Sequence, residues 1–266
     1  MDYSSLKNVK RIVFKVGTST LTYENGKINI QRVEKLARVL CDLRNSGKDI
    51  VLVSSGAISV GVSKVGMSER PKSLPQKQAL AAVGQSELMY LYDKLFSEYH
   101  NIVAQLLLTA DVLEHDLRKK NAHNTFEKLL ELGIIPVVNE NDTISTEEIE
   151  FGDNDTLSAL VAELISADLL VILSDIDGLY DKDPKTNDDA KLIHIVEKID
   201  DNIKGCAGGA GSRRGTGGMI TKIRAGEIAT NAGVDMVILN GADPYDIYAM
   251  LADEPKGTRF LAQNKS

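Results

Sequence analysis

The stretch Arg11-Ile12-Val13-Phe14-Lys15-Val16-Gly17-Thr18-Ser19 decides the fold class and raises the first question about function. Its apolar residues favour a β-strand, and the Gly-Thr-Ser sequence that follows predicts a turn. A lysine inside an apolar strand is costly unless its ammonium group reaches a polar partner. Two interpretations follow: Lys15 handles phosphate at the end of a strand, or it faces water from an edge strand. This stretch alone does not separate them.

Composition limits the classes of protein that the chain can form. It has 266 residues, of which 43% are hydrophobic and 26% charged, as is typical of a globular protein with a full core. Aromatic residues make up 5%, Trp is absent and the net charge is −7, so we expect no nucleic-acid partner. The N-terminus has no apolar signal core, and no run approaches about 18 apolar residues, which favours a cytoplasmic protein without a membrane partner.

Cysteines, histidines and acidic turns give no sign of a thiol enzyme or a metal centre. Cys41 and Cys206 are too few and too far apart for a disulfide framework, and neither has the surroundings of a nucleophile. The four histidines lack the spacing of metal ligands. Asp175, Asp177 and Gly178 match part of a calcium loop, but the remaining ligands are missing. We therefore expect no metal site built from protein ligands.

Strands alternate with helices along the chain. Apolar strands are expected at 11–16, 50–53, 102–108, 134–138, 169–173 and 234–239, with short ones at 192–196 and 258–261. Apolar residues at helical spacing predict helices at 30–43, 78–99, 109–132, 157–167 and 219–231. Pro136 should lie at the start of its strand or near a sheet edge. The alternation predicts an α/β fold, a three-layer αβα sandwich with a mainly parallel sheet, as one domain over residues 1–266.

Polar turns follow four of the apolar strands. They lie at 17–19, 54–56, 139–142 and 174–175. The carboxyl ends of parallel strands meet at one rim of a sheet, where α/β proteins bind their ligands. Turns favour the same residues for backbone reasons, but four such turns together favour a shared ligand cleft.

A glycine-rich segment at 215–218 precedes the helix at 219–231, and Lys222 lies one turn into that helix. Backbone N–H groups and the helix dipole at such an N-terminus attract an anion. The spacing is not that of a P-loop. The alternative is a mobile connector in which Arg213 and Arg214 are merely solvated.

The acidic segment at 152–156 also precedes a helix. Asp and Asn are ordinary helix caps, so a purely structural role is open. Three polar side chains exceed what one cap needs, however, and the surplus could orient cations or hold a substrate amine.

Together, these motifs resemble the amino-acid kinase family, and most closely its branch that phosphorylates glutamate. The matching segments are 14–19 (FKVGTS), 53–58 (VSSGAI), 139–142 (NEND), 151–155 (FGDND), 174–180 (SDIDGLY) and 215–222 (GTGGMITK). The resemblance implies transfer of phosphate from ATP, with Mg²⁺, to the side-chain carboxylate of L-glutamate, the first step towards proline. Kinases of acetylglutamate, aspartate, carbamate or UMP, and a non-catalytic amino-acid sensor, are the alternatives.

The resemblance also implies roles for individual residues. Lys15 and Lys222 would contact the migrating phosphate as catalytic residues, and Asp155 would hold the two lysines in place. The residues expected to bind glutamate are Ser55, Gly56, Asn139, Asp142 and Asn154. The residues expected to bind ATP are Lys15, Gly17, Ser174, Asp175, Thr216, Gly217, Gly218, Met219, Ile220, Thr221 and Lys222.

The same resemblance carries expectations about organisation and regulation. Glutamate would bind to the N-terminal part and ATP to the part from about residue 168. Feedback inhibition by proline and a homo-oligomer, dimer or tetramer, are implied. Many relatives in this branch carry an additional C-terminal PUA domain; the sequence stops at Ser266, so we expect none here.

The chemistry of this reaction suits the residue set. A glutamate carboxylate, with an ordinary pKa of about 4.3, is already ionised at neutral pH and needs no general base. What remains is to align two anionic reactants and to neutralise charge on the transferring phosphoryl group. Two lysines, Mg²⁺ and helix-terminal amides can do this without a histidine or a cysteine.

Overall fold

A computed structural model describes residues 5–67, 69, 71–109, 112, 115–144, 154–207 and 218–263. Its strands are β1 (Arg11–Val16), β2 (Asp49–Ser54), β3 (Val103–Leu108), β4 (Ile135–Glu140), β5 (Leu169–Ser174), β6 (Ile195–Val196), β7 (Asp235–Asn240) and β8 (Thr258–Phe260). Its helices are α1 (Thr18–Leu21), α2 (Ile30–Asn45), α3 (Ala57–Val65), α4 (Leu74–Ser97), α5 (Asp116–Glu131), α6 (Asn154–Leu164), α7 (Asp201–Ala207), α8 (Met219–Asn231) and α9 (Asp246–Leu251).

The strands form one sheet in the order β3-β4-β2-β1-β5-β7-β8-β6. Every neighbouring pair is parallel except β7 with β8. Helices cover both faces, which confirms the predicted three-layer αβα sandwich with a mainly parallel sheet. None of the helices in the described part of the chain is long and apolar enough to cross a membrane.

Side chains along β1 alternate between the two faces of the sheet and therefore pack into two separate hydrophobic cores. Ile12, Phe14 and Val16 point into the core on one face, which includes residues of α2, α3, α4 and α9. Val13 points into the core on the other face, which includes residues of α5, α6, α7 and α8. Lys15 alternates with Phe14 and Val16 and therefore lies on the second face, beneath α6 and α8.

Most predicted elements are confirmed, and their ends follow local chemistry. Asn29 caps α2, since its side chain accepts a hydrogen bond from the N–H of Arg32 (3.1 Å). Gly47, just past the end of α2, has a left-handed backbone conformation with φ of 93°. The helix predicted to start at 78 begins earlier, at Leu74, because Ser73 and Gln76 form a capping box there.

The structure also bears on the predicted position of Pro136 and changes the predicted bounds of two further helices. Pro136 is the second residue of β4, which lies next to the edge strand β3, so it is at the start of its strand and near a sheet edge, as predicted. The helix predicted at 109–132 is seen over Asp116–Glu131, while residues 110, 111, 113 and 114 lie outside the described residues. The helix predicted at 157–167 begins three residues earlier, at Asn154.

Four helices were not predicted: α1, α3, α7 and α9. Three of them have seven residues or fewer, too short to show helical periodicity. The fourth, α3, has nine residues, but Gly and β-branched residues weaken its helical propensity. Packing against α4 provides the stability that the low helical propensity of α3 does not.

Two glycines allow α3 and α4 to pack backbone against backbone. A Cβ atom added to Gly84 would lie 1.7 Å from the carbonyl oxygen of Ala57, and one added to Gly61 would lie 2.0 Å from the carbonyl oxygen of Leu80. Any side chain at either position must therefore push the two helices apart. The close approach matters for function because α3 and α4 border the polar turn that follows β2.

We predict that Gly84→Ala destabilises the protein, although alanine favours helices. Overpacking at this contact should lower the free energy of unfolding by about 1–3 kcal/mol or more. Gly205→Ala in α7 is the matched control, since a Cβ there would meet nothing within 4 Å. It should raise stability by about 0.5–1 kcal/mol. Urea denaturation measures both, and equal effects of the two substitutions would contradict the close packing of α3 on α4.

Candidate active site

Lys15 lies at the carboxyl end of β1, deep inside the protein. Its neighbours across the sheet are Val53 of β2 and Ile172 of β5, so β1 is a central strand. Only 8% of the residue is exposed. The interpretation of Lys15 as a water-facing residue on an edge strand is therefore wrong, and its ammonium group needs a partner inside the protein.

That partner is Asp155, in the first turn of α6. Lys15 Nζ lies 2.7 Å from Asp155 Oδ1, and Lys222 Nζ of α8 lies 3.2 Å from Asp155 Oδ2. Thr221 Oγ1 lies 2.8 Å from the same Oδ2 and 2.8 Å from the carbonyl oxygen of Gly218. The structure thus joins Lys15, Asp155 and Lys222, which sequence reasoning had grouped only by resemblance. We call these three residues the ion group.

Burial and charge act in opposite directions on Asp155. The residue has no exposed surface, and desolvation alone would raise the pKa of its carboxyl group. The charges of Lys15 and Lys222, with hydrogen bonds from Lys15 and Thr221, outweigh desolvation and hold this pKa below its ordinary value. With Asp155 ionised, two ammonium groups face one carboxylate, so the ion group retains one positive charge.

A cluster of amides adjoins the ion group at the start of α6. Asn154 Nδ2 shares its two N–H groups among three acceptors, the carbonyl oxygen of Ser54 (2.8 Å), Ser55 Oγ (2.9 Å) and Asn139 Oδ1 (2.9 Å). Asn154 Oδ1 is buried and has no hydrogen-bond partner among the described residues. Three of the predicted glutamate-binding residues, Ser55, Asn139 and Asn154, are therefore in direct contact, and one amide oxygen is left available to a donor.

The turn after β2 is shaped by Gly56 and anchored from α4. Gly56 has φ of 93°, a left-handed conformation that favours glycine, and it caps α3. Ser54 Oγ hydrogen-bonds to the buried Tyr92 hydroxyl of α4 at 2.8 Å. Tyr92 was not predicted as part of the site and acts here as a structural anchor.

Gln85 of α4 contacts the amide cluster, and this residue was not predicted from the sequence. Its Oε1 accepts a hydrogen bond from Asn139 Nδ2 at 2.9 Å, and 8% of the residue is exposed. The signal was present, because Gln85 interrupts a helical stripe of buried residues formed by Ala81, Leu88 and Tyr92. A polar residue in such a stripe indicates a buried hydrogen-bond partner.

The remaining predicted residues lie along the same rim of the sheet. Asp142 is half-buried in the turn that follows β4. Gly17 follows β1, and a Cβ there would lie 3.6 Å from Lys15 Nζ. Ser174 ends β5 beside Asp175, and the carbonyl oxygen of Ser174 accepts a hydrogen bond from the N–H of Gly241 (2.7 Å).

The start of α8 completes the predicted nucleotide side. Gly218 precedes the helix, Met219 is half-buried, and Ile220 is 55% exposed. Thr216 and Gly217 lie outside the described residues, as do residues 151–153 of the acidic segment. Among the residues that the structure does describe, no three His, Cys, Asp or Glu side chains are grouped to hold a metal ion.

The cysteines are both free. Cys41 is buried and Cys206 half-buried. Burial raises the pKa of the Cys41 thiol to about 12, and a hydrogen bond with Asn101 offsets this only in part. A thiolate at this position is therefore strongly disfavoured near neutral pH.

The fold is one that solved structures of other proteins share. The crystal structure of the T. acidophilum isopentenyl phosphate kinase product complex superposes with a TM-score of 0.66 at 18% identity, covering 94% of this chain and 100% of that one. At this identity the likeness concerns the fold alone. It is nevertheless the fold that the sequence pattern predicted.

Sequence comparison defines the family. The model of the Amino acid kinase family matches residues 10–240. Glutamate 5-kinase of Clostridium perfringens is 57% identical over 263 residues, which cover 97% of this chain and 98% of that protein. Glutamate 5-kinase of Clostridium acetobutylicum is 55% identical over 260 residues, covering 98% and 97%. The chain therefore belongs to the amino-acid kinase family.

We predict that Asp155→Asn removes a pH-dependent part of the stability. At pH 7 the substitution removes the carboxylate that both buried ammonium groups face and should cost about 3 kcal/mol of unfolding free energy. Because the pKa of Asp155 is lowered in the folded state, its contribution is complete above the unfolded-state pKa of about 3.9 and is lost as pH falls through the folded-state value.

The difference between wild type and Asp155→Asn should therefore shrink as pH is lowered from about 7 to about 3. Denaturant unfolding at several pH values measures it. A difference that stays constant over this range would contradict an ionised Asp155 in the ion group.

Proposed function

We propose that this protein transfers the γ-phosphoryl group of ATP to the side-chain carboxylate of L-glutamate, giving L-glutamyl 5-phosphate, the first step towards proline. One observation carries the proposal: the ion group and the amide cluster meet at two consecutive residues, Asn154 and Asp155. A cation site for phosphate and a polar site for an amino acid thus share the first turn of α6. The near-complete match to glutamate 5-kinases favours glutamate over the other acceptors of the family.

The amide cluster would bind the amino acid. Asn154 Oδ1 can only accept a hydrogen bond, so the group it awaits is a donor such as the α-ammonium of glutamate. An unpaired buried amide oxygen costs about 1–3 kcal/mol, which a bound ammonium would recover. Ser55, Gly56 and Asn139 would complete this side, and the Asp142 carboxylate would add charge complementary to the ammonium.

The ion group would act on the phosphoryl group. Lys15 and Lys222 approach Asp155 from β1 and α8, and their remaining positive charge favours an anion beside them. The N-terminus of α8 adds favourable potential for phosphate oxygens. As negative charge spreads over the equatorial oxygens in the transition state, the two ammonium groups stabilise it without moving.

ATP would lie over the carboxyl ends of β1 and β5. Gly17, Ser174, Asp175 and the residues from 216 to 222 would bind it, with backbone N–H groups near Gly218 directed at the phosphates. The Asp155 carboxylate is engaged by two lysines and is not free to bind a cation. Mg²⁺, held by phosphate oxygens and water, would neutralise charge on the β- and γ-phosphates when bound.

Several further statements stay predictions. These are feedback inhibition by proline, assembly into a homodimer or homotetramer, and a cytoplasmic location. They come from the resemblance or from composition, and the geometry described above bears on none of them.

The direct test is turnover with glutamate. Purified protein with ATP, Mg²⁺ and L-glutamate should release ADP, and hydroxylamine should trap the acyl phosphate as a hydroxamate. Parallel reactions contain aspartate, acetylglutamate, carbamate or UMP instead of glutamate. Turnover with one of these and not with glutamate would move the protein elsewhere in the family, and glutamate binding without ADP release would indicate a sensor.

We predict that Lys222→Ala lowers kcat much more than it raises the KM for glutamate. Its charge should matter most in the transition state, where losing one preorganised charge typically costs about 10²–10³-fold in rate. Lys204→Ala is the control, since Lys204 forms a surface ion pair with Glu227 and should leave both constants unchanged. A normal kcat with a raised KM for Lys222→Ala would show that the role is misassigned.

A further inference from the structure

Gln85 begins a directional chain of amide hydrogen bonds that ends at the proposed amino-acid site. Gln85 Oε1 accepts from Asn139 Nδ2 (2.9 Å), and Asn139 Oδ1 accepts from Asn154 Nδ2 (2.9 Å). Gln85 and Asn139 are buried, with 8% and 1% exposed. At the far end, Asn154 Oδ1 is buried and unpartnered among the described residues. We call these three residues the amide chain.

Each member of the amide chain fixes which way the next one points. Asn139 Oδ1 also accepts from the N–H of Glu140 (2.9 Å), so this oxygen faces two donors. In the reversed orientation, Asn139 Nδ2 would face those donors, and its oxygen would lose them. Asn154 Nδ2 likewise faces three acceptors, which leaves its oxygen as the atom turned away from them.

Gln85 supplies the acceptor that fixes the orientation of the Asn139 amide. Asn139 Nδ2 has a hydrogen bond to Gln85 Oε1, and without it a buried donor would be left unpaired. Asn139 Oδ1 is in turn one of the acceptors that hold Asn154 Nδ2, and so leave Asn154 Oδ1 directed towards the proposed ligand. Loss of the Gln85 acceptor would therefore free the Asn139 amide to turn and would remove a contact that orients Asn154.

The position of Gln85 is set by the close packing of α4 on α3. Its neighbour Gly84 lies against the carbonyl oxygen of Ala57, where no side chain fits. Because Ala57 begins α3 immediately after the Ser55-Gly56 turn, α4 is held at a fixed distance from the site. Gln85 can then reach Asn139 at the end of β4 from the helical layer.

We infer that Gln85 is a positioning residue for recognition of the substrate's α-ammonium group, acting through Asn139 on the side-chain amide oxygen Oδ1 of Asn154. The inference rests on the proposed glutamate kinase activity. Gln85 touches neither the phosphoryl group nor the ion group in this role. Its replacement should therefore affect glutamate binding and leave ATP binding and the chemical step largely intact.

The test compares replacements that keep or remove the acceptor. Gln85→Met fills similar space without an acceptor, and we expect the KM for glutamate to rise at least about tenfold with little change in kcat or in the KM for ATP. Gln85→Glu retains an acceptor oxygen for Asn139 Nδ2 and should keep the KM for glutamate within about threefold of wild type. Gln85→Asn keeps the amide but is one methylene shorter, so it should resemble Gln85→Met.

Asn101→Ala is the matched control just beyond the C-terminal end of the same helix, because it removes hydrogen bonds of a buried amide, to Asn45 Oδ1 (3.2 Å) and to the carbonyl oxygen of Tyr99 (3.0 Å), away from the amide chain. It should lower the thermal stability and leave the KM for glutamate unchanged. Two results would overturn the inference about Gln85 and leave the proposed function standing. One is an unchanged KM for glutamate in both Gln85→Met and Gln85→Asn, and the other is equal effects of Gln85→Glu and Gln85→Met. Wild-type protein that fails to phosphorylate glutamate would instead overturn the proposed function, and the inference with it.

Discussion

The pairing of one buried carboxylate with two lysines is the interaction on which the rest of the site depends. Removing three charges from water costs several kcal/mol per ion, and their mutual attraction offsets this only with good geometry and further hydrogen bonds. Thr221 supplies one such contact to Asp155. Both lysines face Asp155 beside the N-terminus of α8, where the helix dipole also favours an anion. This arrangement suits the anionic ligand of the proposed function.

The fold is what brings the three charged residues together from distant parts of the chain. β1 lies in the middle of the sheet, so Lys15 is covered on both sides by strands and above by helices. α6 packs on β1 and on α8, and it therefore carries Asp155 to a point between the two lysines. Because the strands around it are parallel, their carboxyl ends place the polar turns at the same rim. The central position of β1 thus provides the dry surroundings of Lys15 and places it at the rim where the polar turns lie.

Sequence patterns predicted much of this arrangement, and the failures have identifiable causes. Apolar runs located the six main strands because a sheet covered on both faces needs continuous apolar residues. The start of α6 was placed at Leu157, since Asn154 and Asp155 have the composition of a cap. Both lie in the first turn of the helix instead, where Asn154 makes amide hydrogen bonds and Asp155 forms ion pairs. The helix α3 went unpredicted because its stability comes from contact with α4. Contacts of this kind cannot be seen in local periodicity.

The same distinction applies to the site residues. Lys15 was visible from the sequence because a charge in an apolar strand violates a local rule. Gln85 violates the corresponding rule for an amphipathic helix, but a single polar residue on a long helix is a weaker signal. Its importance depends on the hydrogen bond to Asn139, and this bond joins a helix to the end of a strand. The spacing of residues within one helix could not have identified Asn139 as the partner of Gln85.

The first turn of α6 links the two halves of the chemistry. Consecutive helical residues project about 100° apart, so Asn154 can join the amide chain while Asp155 joins the ion group. In the proposed reaction, the amino acid and the phosphoryl group would thus be positioned from one segment of backbone, and a shift of α6 would move both proposed binding sites together. For a reaction whose acceptor needs no general base, the distance and alignment of the two anions are the main quantities that the protein has to control. One helix turn shared by both sites controls them more tightly than two independent loops could.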